Sequence, residues 1–178
     1  MVSLRIYVGE LNDYVELPDR PMRIVSLAPS VTETLYMLGV WDRVIGVSIY
    51  CFKPPEAREK PFVGSYYRVN FEKLEELEPD LVLTTTGAQR ETMRQIHERG
   101  YSVYPIPLPN SVAGIIENTM LTGVLVGAEE SARKLTSEMF RVIGRILESQ
   151  PDRRPTVYVE LQLGGPITVG ASSYIDNG

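Results

Sequence analysis

The stretch RIVSLAPSVTETLYMLGVWDRVIGVSIY, residues 23–50, decides the fold. Ile24, Val25 and Leu27 make a short apolar run of the kind expected of a strand buried on both faces, and Pro29 ends it. Ser30-Val31-Thr32-Glu33 fits a capping box, in which the serine oxygen takes one backbone N–H of the first helical turn and the glutamate reaches back for another. Leu35 and Leu38 then share a helical face, Gly39 supplies a left-handed stop, and Val44 to Val47 reads as the next strand. Strand, helix and strand in this order form a parallel βαβ unit. Such a unit puts the Ala28-Pro29-Ser30 turn at the carboxyl end of its strand, with free N–H groups at the helix start, where open α/β sheets bind ligands. Neither a GxGxxG nor a GxxxxGK[ST] pattern occurs in the chain, so a nucleotide has no specific signal behind it.

Upstream, Leu4 to Val8 and Tyr14 to Leu17 are β-prone runs separated by the turn-rich Gly9 to Asp13, a hairpin expected to decorate an edge of the sheet. Downstream, the β, α, β alternation continues. Ser48 to Phe52 leaves the sheet at the same edge as the Ser30 turn, and Pro54-Pro55-Glu56-Ala57 opens a short helical turn. Phe62-Val63-Gly64 returns to the sheet, Ser65 to Arg68 is a loop, and Asn70 caps a helix over Phe71 to Glu76. Leu81 to Thr84 is a buried strand with Thr85-Thr86-Gly87 as its exit. Gln89 to Arg99 is an amphipathic helix with Met93 and Ile96 inward, and Ser102 to Ile106 is another strand. Asn110-Ser111 caps a helix carrying Ile115, Ile116 and Leu125. From Glu129 to Gln150 apolar residues recur at steps of three and four, which predicts a long helix burying Leu135, Met139, Val142 and Ile146. Thr156 to Leu161 reads as a strand of a new unit, followed by a hairpin through Gly164-Gly165-Pro166 to Ile167–Val169.

At 178 residues with 43% hydrophobic content the chain can fill a core. Its net charge of -5 and the lack of any lysine and arginine run argue against nucleic acid. The single cysteine, Cys51, rules out an internal disulfide and a cysteine cluster for zinc. With no histidine to place beside it, Cys51 reads as a small buried residue rather than a nucleophile. His97 is the only histidine. It sits within a helix and reads as a surface or packing residue, because no G-x-S-x-G serine exists for it to serve. Neither catalysis nor a histidine-rich zinc or manganese site has support, so no metal-ligating residue is named.

SLAPSVTETLYMLGVWDRVIGVSIYCFKPPEA, followed by KPFVGSYYRVNFEKLEELEPDLVL, resembles the helical-backbone (class III) substrate-binding proteins of ABC importers. These carry vitamin B12, ferric siderophores or haem. The resemblance runs from about Arg23 to the end of the chain and rests on the order of its motifs: the S-x-x-E turn, Tyr50 to Pro55, and Asn70 to Lys73 leading into Glu78-Pro79-Asp80-Leu81-Val82-Leu83. It implies an α/β architecture: a Rossmann-like lobe with a central, mostly parallel sheet, a long linking α-helix, and the start of a second α/β lobe. In those terms residues 1–22 are a hairpin extension, 23–127 the ligand-binding lobe, 128–150 the linking helix and 151–178 the beginning of a truncated second lobe.

The resemblance also implies a binding protein rather than an enzyme, with no cofactor of its own. It would act outside the cytoplasmic membrane, although the first residues, MVSLRIYVGEL, lack the pattern of a signal peptide. Its partners would be a small-molecule metal chelate and the permease subunits of an importer, through which it would meet the membrane peripherally. A single-lobe interaction or sensor domain, able to form a homodimer, is the alternative. Two loops bring Tyr50, Phe52, Tyr66 and Tyr67 to the ligand edge, and tyrosine offers a flat apolar face plus a hydroxyl to a corrin, porphyrin or siderophore. Tyr50 and Tyr66 match aromatic ligand-contact positions of the B12-binding members, whereas Thr85 stands where those members present an aromatic. Ser30, Thr85 and Thr86 complete the expected ligand edge, and Arg68 is either a partner for an anionic siderophore or haem propionate or a solvated arginine. Glu72 matches the acidic knob that meets arginines of the permease, although a carboxylate in a first helical turn also complements the helix dipole.

Overall fold

The computed structural model describes residues 3–149, 156–162, 165–170 and 173–175. Its centre is a five-stranded parallel sheet of β3 (Ile24–Ser26), β4 (Val44–Ser48), β5 (Phe62–Gly64), β6 (Leu81–Thr85) and β7 (Val103–Ile106). The spatial order is β5-β4-β3-β6-β7. The chain starts in the middle, winds outward to β5, then returns across β3 to β6, so the winding direction reverses between β3 and β6. That switch point opens a crevice beyond the carboxyl ends of the two strands.

Alternation along the strands feeds two cores. Ile24, Val44, Leu81 and Leu83 pack with Val31, Leu35 and Leu125 on the face covered by α1 (Pro29–Met37), α4 (Val112–Leu125) and the start of α5 (Glu129–Glu148). Val25, Leu27, Val63 and Val82 pack with Leu74, Met93 and Ile96 on the face covered by α2 (Phe71–Leu77) and α3 (Arg90–Glu98). Both faces of these strands are dry, which is why they read as continuous apolar runs rather than alternating ones. The antiparallel hairpin of β1 (Ser3–Val8) and β2 (Asp13–Pro18) stands beside β7, where the Ser102 hydroxyl donates to the Glu16 carbonyl at 2.7 Å and Val8, Val15 and Leu17 join the core.

Asn70 caps α2 as read, its Oδ1 accepting the Lys73 N–H at 3.0 Å, and Ser111 caps α4 by accepting the Gly114 N–H at 3.1 Å. The capping box at Ser30 does not form. Helix α1 begins two residues earlier, with Pro29 as its first residue, Ala28 in the cap position and no side chain capping it. Proline brings its φ already set for a first helical turn and has no N–H to satisfy, so it displaces the serine from the cap role.

The long-helix stripe is only partly buried. Ala132 and Thr136 are buried and Leu135 packs on the core, but Val142 is 36% exposed and Ile146 58%. Periodicity identifies the apolar face of a helix and not the extent of the surface opposite it. At 1.5 Å per residue the 20 residues of α5 outrun the 14 of α4 against which they pack. The strand expected over Thr156 to Leu161 is also absent from 156–160; a short pair joins Leu161–Gln162 to Pro166–Ile167 instead. Residues 156–160 join no strand ladder; Val159 is tied instead by the Thr168 hydroxyl, which donates to its carbonyl at 2.9 Å. Gly164 of the expected turn lies outside those residues.

Candidate functional site

Every loop that leaves the carboxyl ends of the five parallel strands meets at one edge of the sheet, and the loops there are cross-tied by buried polar side chains. The first tie joins the β3 and β4 exits. Ser26, Thr32, Ser48 and Cys51 are all buried. The Thr32 hydroxyl lies 2.8 Å from Ser26 Oγ, 3.1 Å from the Ala28 carbonyl and 3.0 Å from Cys51 Sγ, while Ser48 Oγ lies 3.2 Å from the same sulfur. Cys51 is therefore a small structural residue inside a hydroxyl cluster, as the sequence suggested.

The second tie is Gln89, which has no solvent exposure and closes three loops at once. Its Nε2 donates to the Leu27 carbonyl at the β3 exit and to the Tyr66 carbonyl in the loop after β5, both at 3.1 Å. Its Oε1 accepts the Thr85 N–H at 2.8 Å and stands 3.0 Å from the Thr85 hydroxyl. Because both Nε2 partners are carbonyls and the Thr85 amide can only donate, the orientation of the Gln89 amide is fixed by its surroundings. The Thr85 hydroxyl must then donate to Gln89. Tyr66 OH, 2.8 Å from Thr85 Oγ1, must in turn donate to Thr85. This chain of donors leaves the Tyr66 oxygen with open lone pairs toward solvent.

The tyrosine loop itself depends on Gly64, whose φ of +144° lets the Arg68 carbonyl approach so closely that a Cβ would lie 2.1 Å from it. The loop closes through Ser65 N–H to the Arg68 carbonyl at 2.7 Å, and Ser65 Oγ takes the Arg68 N–H at 3.1 Å. It presents Tyr66 and Tyr67 edge to face, their ring centres 5.3 Å apart. Tyr67 is 67% exposed, and from the β4 exit Tyr50 and Phe52 are about half exposed at 48% and 55%. Four aromatic side chains from two loops are thus held at the sheet edge without being used in the core. Arg68 is exposed in the same loop. Thr86 serves the scaffold: its N–H donates to the Ile106 carbonyl and its hydroxyl accepts the Leu108 N–H, joining the β6 and β7 exits.

Ser30 and Thr85 also face a cavity of about 270 Å3 between α1, α4 and the β7 exit. Its apolar wall includes Val31, Ile106 and Ile115, and its polar wall includes Thr34, Asn118, Thr119 and Thr122. Neither Gln89 nor the α4 hydroxyls emerged from the sequence. Gln89 gave no signal, since a glutamine before a helix reads as surface. Thr119 and Thr122 did give one: spaced three apart on a helix whose other inward residues are apolar, they are polar groups on a buried face.

Glu72 is exposed in the first turn of α2, which begins at the same sheet edge, and no described residue pairs with its carboxylate. His97 lies toward the hairpin, 3.0 Å from Asp13 Oδ2. No group of three or more histidine, cysteine or acidic side chains among the described residues is placed to hold a metal.

A doubly wound parallel sheet, with aromatic side chains from the β4 and β5 exits gathered at its carboxyl edge, has the layout of an α/β ligand-binding lobe. The chain belongs to the periplasmic binding protein family, which matches residues 24–177. Among curated relatives, a cobalamin-binding protein of Halobacterium salinarum is 32% identical over 169 residues, covering 92% of this chain and 45% of that protein. An ABC transporter substrate-binding lipoprotein of Bacillus subtilis, YvrC, is 30% identical, covering 93% of this chain and 55% of its own length. The chain therefore spans about half the length of the curated relatives it matches. Of solved structures, the periplasmic vitamin B12 binding protein BtuF of Vibrio cholerae superposes with a TM-score of 0.76 at 24% identity, covering 90% of this chain and 63% of that one. The periplasmic haem binding protein HutB of Vibrio cholerae superposes at 0.67 and 25% identity, covering 74% and 51%. The resemblance first seen in the sequence motifs is to this family, one of extracytoplasmic binding proteins, and no described helix is long and apolar enough to cross a membrane.

Proposed function

We propose that this chain is the ligand-receiving lobe of an ABC importer's substrate-binding protein, which takes up a metal chelate outside the cytoplasmic membrane and delivers it to the permease. The observation that carries the reading is the aromatic edge: Tyr66 and Tyr67 in a loop fixed by Gln89 and Gly64, with Tyr50, Phe52 and Tyr67 left exposed. Exposed aromatic faces on a fixed scaffold suit a large flat ligand that must be gripped and then released. The cobalamin, haem and substrate-binding names of the relatives support the same ligand class. Ser30, Arg68 and Thr85 border this surface, and Glu72 is the docking contact for the permease. The protein performs no chemistry on its cargo and requires no resident cofactor.

Titrating the chain with cyanocobalamin, haemin and a ferric hydroxamate siderophore, each followed by its visible absorption, tests the proposal. One of the three is expected to bind saturably, and Tyr50→Ala with Tyr66→Ala to weaken it by about tenfold or more, the equivalent of ~1.4 kcal/mol or more. Binding of none of them, or binding indifferent to the two tyrosines, overturns the assignment.

A further inference from the structure

We propose that the 270 Å3 cavity behind Thr85 is a subsite for a neutral, hydrogen-bond-donating arm of the ligand, a primary amide above all, and that it disfavours carboxylate arms. The link to the ligand rests on reading the sheet edge as a chelate site, whereas the chemistry of the cavity stands on its own walls. Three threonines line it with their hydroxyl protons already committed. Thr34 donates to the Ser30 carbonyl at 2.9 Å, Thr119 to that of Ile115 at 3.0 Å and Thr122 to that of Asn118 at 2.7 Å. A threonine that donates backward along its helix can offer a ligand only its lone pairs. The Asn118 Nδ2 donates to the Pro107 carbonyl at 2.7 Å, which fixes that amide and leaves Oδ1 open as an acceptor. The Thr85 hydroxyl is satisfied by Tyr66 and Gln89.

The lining also carries donors: the Ser30 and Tyr174 hydroxyls and the start of α1. Ser30 and Val31 stand in the first turn of α1, so their backbone N–H groups have no partner within the helix. No lysine, arginine or histidine lines the cavity. A carboxylate entering it would lose its hydration, meet acceptor oxygens and find no cation; one helix start and two hydroxyls offset only part of that cost. A primary amide matches both ends, its carbonyl toward the Ser30 and Val31 N–H groups and its NH2 toward the threonine oxygens. Val31, Ile106 and Ile115 would cover the arm's methylenes. The volume is too small for a macrocycle, which leaves the ring on the aromatic edge outside.

The test uses two isosteres, propionamide and propionate, titrated into the 178-residue chain at one pH and ionic strength while the backbone amide signals of Asn118, Thr119 and Thr122 are followed by NMR. Propionamide is expected to give saturable shifts and to bind at least about tenfold more tightly than propionate. In the double variant Thr119→Val, Thr122→Val, which nearly preserves volume, that preference should largely disappear. Equal binding of propionate, no saturable shift with propionamide, or an unchanged preference in the double variant overturns the subsite. A second pair, cyanocobalamin and the corrinoid whose amide arms are hydrolysed to carboxylates, separates the two claims. If propionamide binds but neither corrinoid does, nor haemin, nor the siderophore, the chelate reading fails and the subsite stands. If both corrinoids bind equally, the subsite fails and the chelate reading stands.

Discussion

Gln89 concentrates the physics of the site in one side chain. Replacing it by leucine would strand the Thr85 N–H and remove the donor from the Leu27 and Tyr66 carbonyls, all around a fully buried position. Each buried polar group left unpaired costs ~1–3 kcal/mol, so Gln89→Leu should lower unfolding stability by ~3 kcal/mol in a urea titration. Gln89→Glu makes a sharper test, because its carboxyl can donate to one of those two carbonyls, and only while protonated. Burial raises its folded pKa above the unfolded value, so the proton's contribution to stability is complete below the unfolded pKa and lost as pH rises through the folded one. The variant should recover part of the wild-type stability in mild acid and fall away toward neutrality; a pH-independent deficit would contradict the donor role. The wild type has the opposite device at the hairpin. There the hydrogen bond from His97 holds the Asp13 carboxyl below its ordinary value of 3.8, with the Tyr14 N–H adding to the effect. That contribution is present above the unfolded pKa and is lost as pH falls from about 3.8 through the folded value. Asp13→Asn should therefore flatten the acid limb of the stability curve, and an unaltered limb would mean that the pair is not formed in solution. Sequence reading found the aromatic residues because they are rare and clustered. It missed Gln89 because a glutamine's burial depends on three carbonyl and amide groups from loops distant in sequence.

Helices α4 and α5 show how far element-scale reading reaches. The period of three and four located α5 and its apolar face, yet the burial that the period implies holds only for the N-terminal part. There Gly123 is the contact that sets the helix separation, since a Cβ on it would stand 2.3 Å from Ala132 Cβ. Gly123→Ala should force the pair apart and cost ~1–3 kcal/mol, as overpacking does in a tight core, visible as a lowered melting temperature. The same helix should respond very differently along its length. Ala132→Asp puts a charge into a fully buried seam and should cost several kcal/mol, whereas Ile146→Asp, at a position 58% exposed, should stay within ~0.5 kcal/mol. Comparable losses at the two positions would show that the far half of α5 is covered after all. The misplaced cap at Ser30 has a related origin: two start signals, a capping box and a helix-opening proline, specify starts two residues apart, and the sequence alone does not rank them.

At the scale of the whole molecule, the division of labour runs between the two edges of the parallel sheet. The amino edge is stitched for stability: the Arg23 guanidinium donates to the Leu77 and Glu78 carbonyls at the end of α2, and buried Arg43 donates to the carbonyls of Pro21 and Val126. The carboxyl edge carries the aromatic loops, the cavity beside Ser30 and Thr85 and, at the start of α2, Glu72. This arrangement was legible from the strand, helix, strand order, because a parallel sheet with right-handed crossovers must gather its exits on one side. It places an exposed carboxylate at the same edge as the aromatic loops, so on the proposed reading a membrane partner gripping Glu72 would meet the cargo in the same encounter. The two roles of Glu72 separate in measurement. A carboxylate that only complements the α2 dipole contributes well under ~1 kcal/mol when exposed, so Glu72→Ala would lower stability slightly and leave docking unchanged. A docking carboxylate leaves stability almost unmoved but weakens affinity for the permease and reduces its salt dependence, since an exposed acid meeting an arginine acts through steering and a charge-assisted pair. Glu72→Arg should then be worse than alanine, because repulsion is added to the lost attraction. The expected outcome is the second, read as affinity for the importer in nanodiscs across a salt series. Undiminished affinity of the Glu72→Arg protein at low salt would remove Glu72 from the interface.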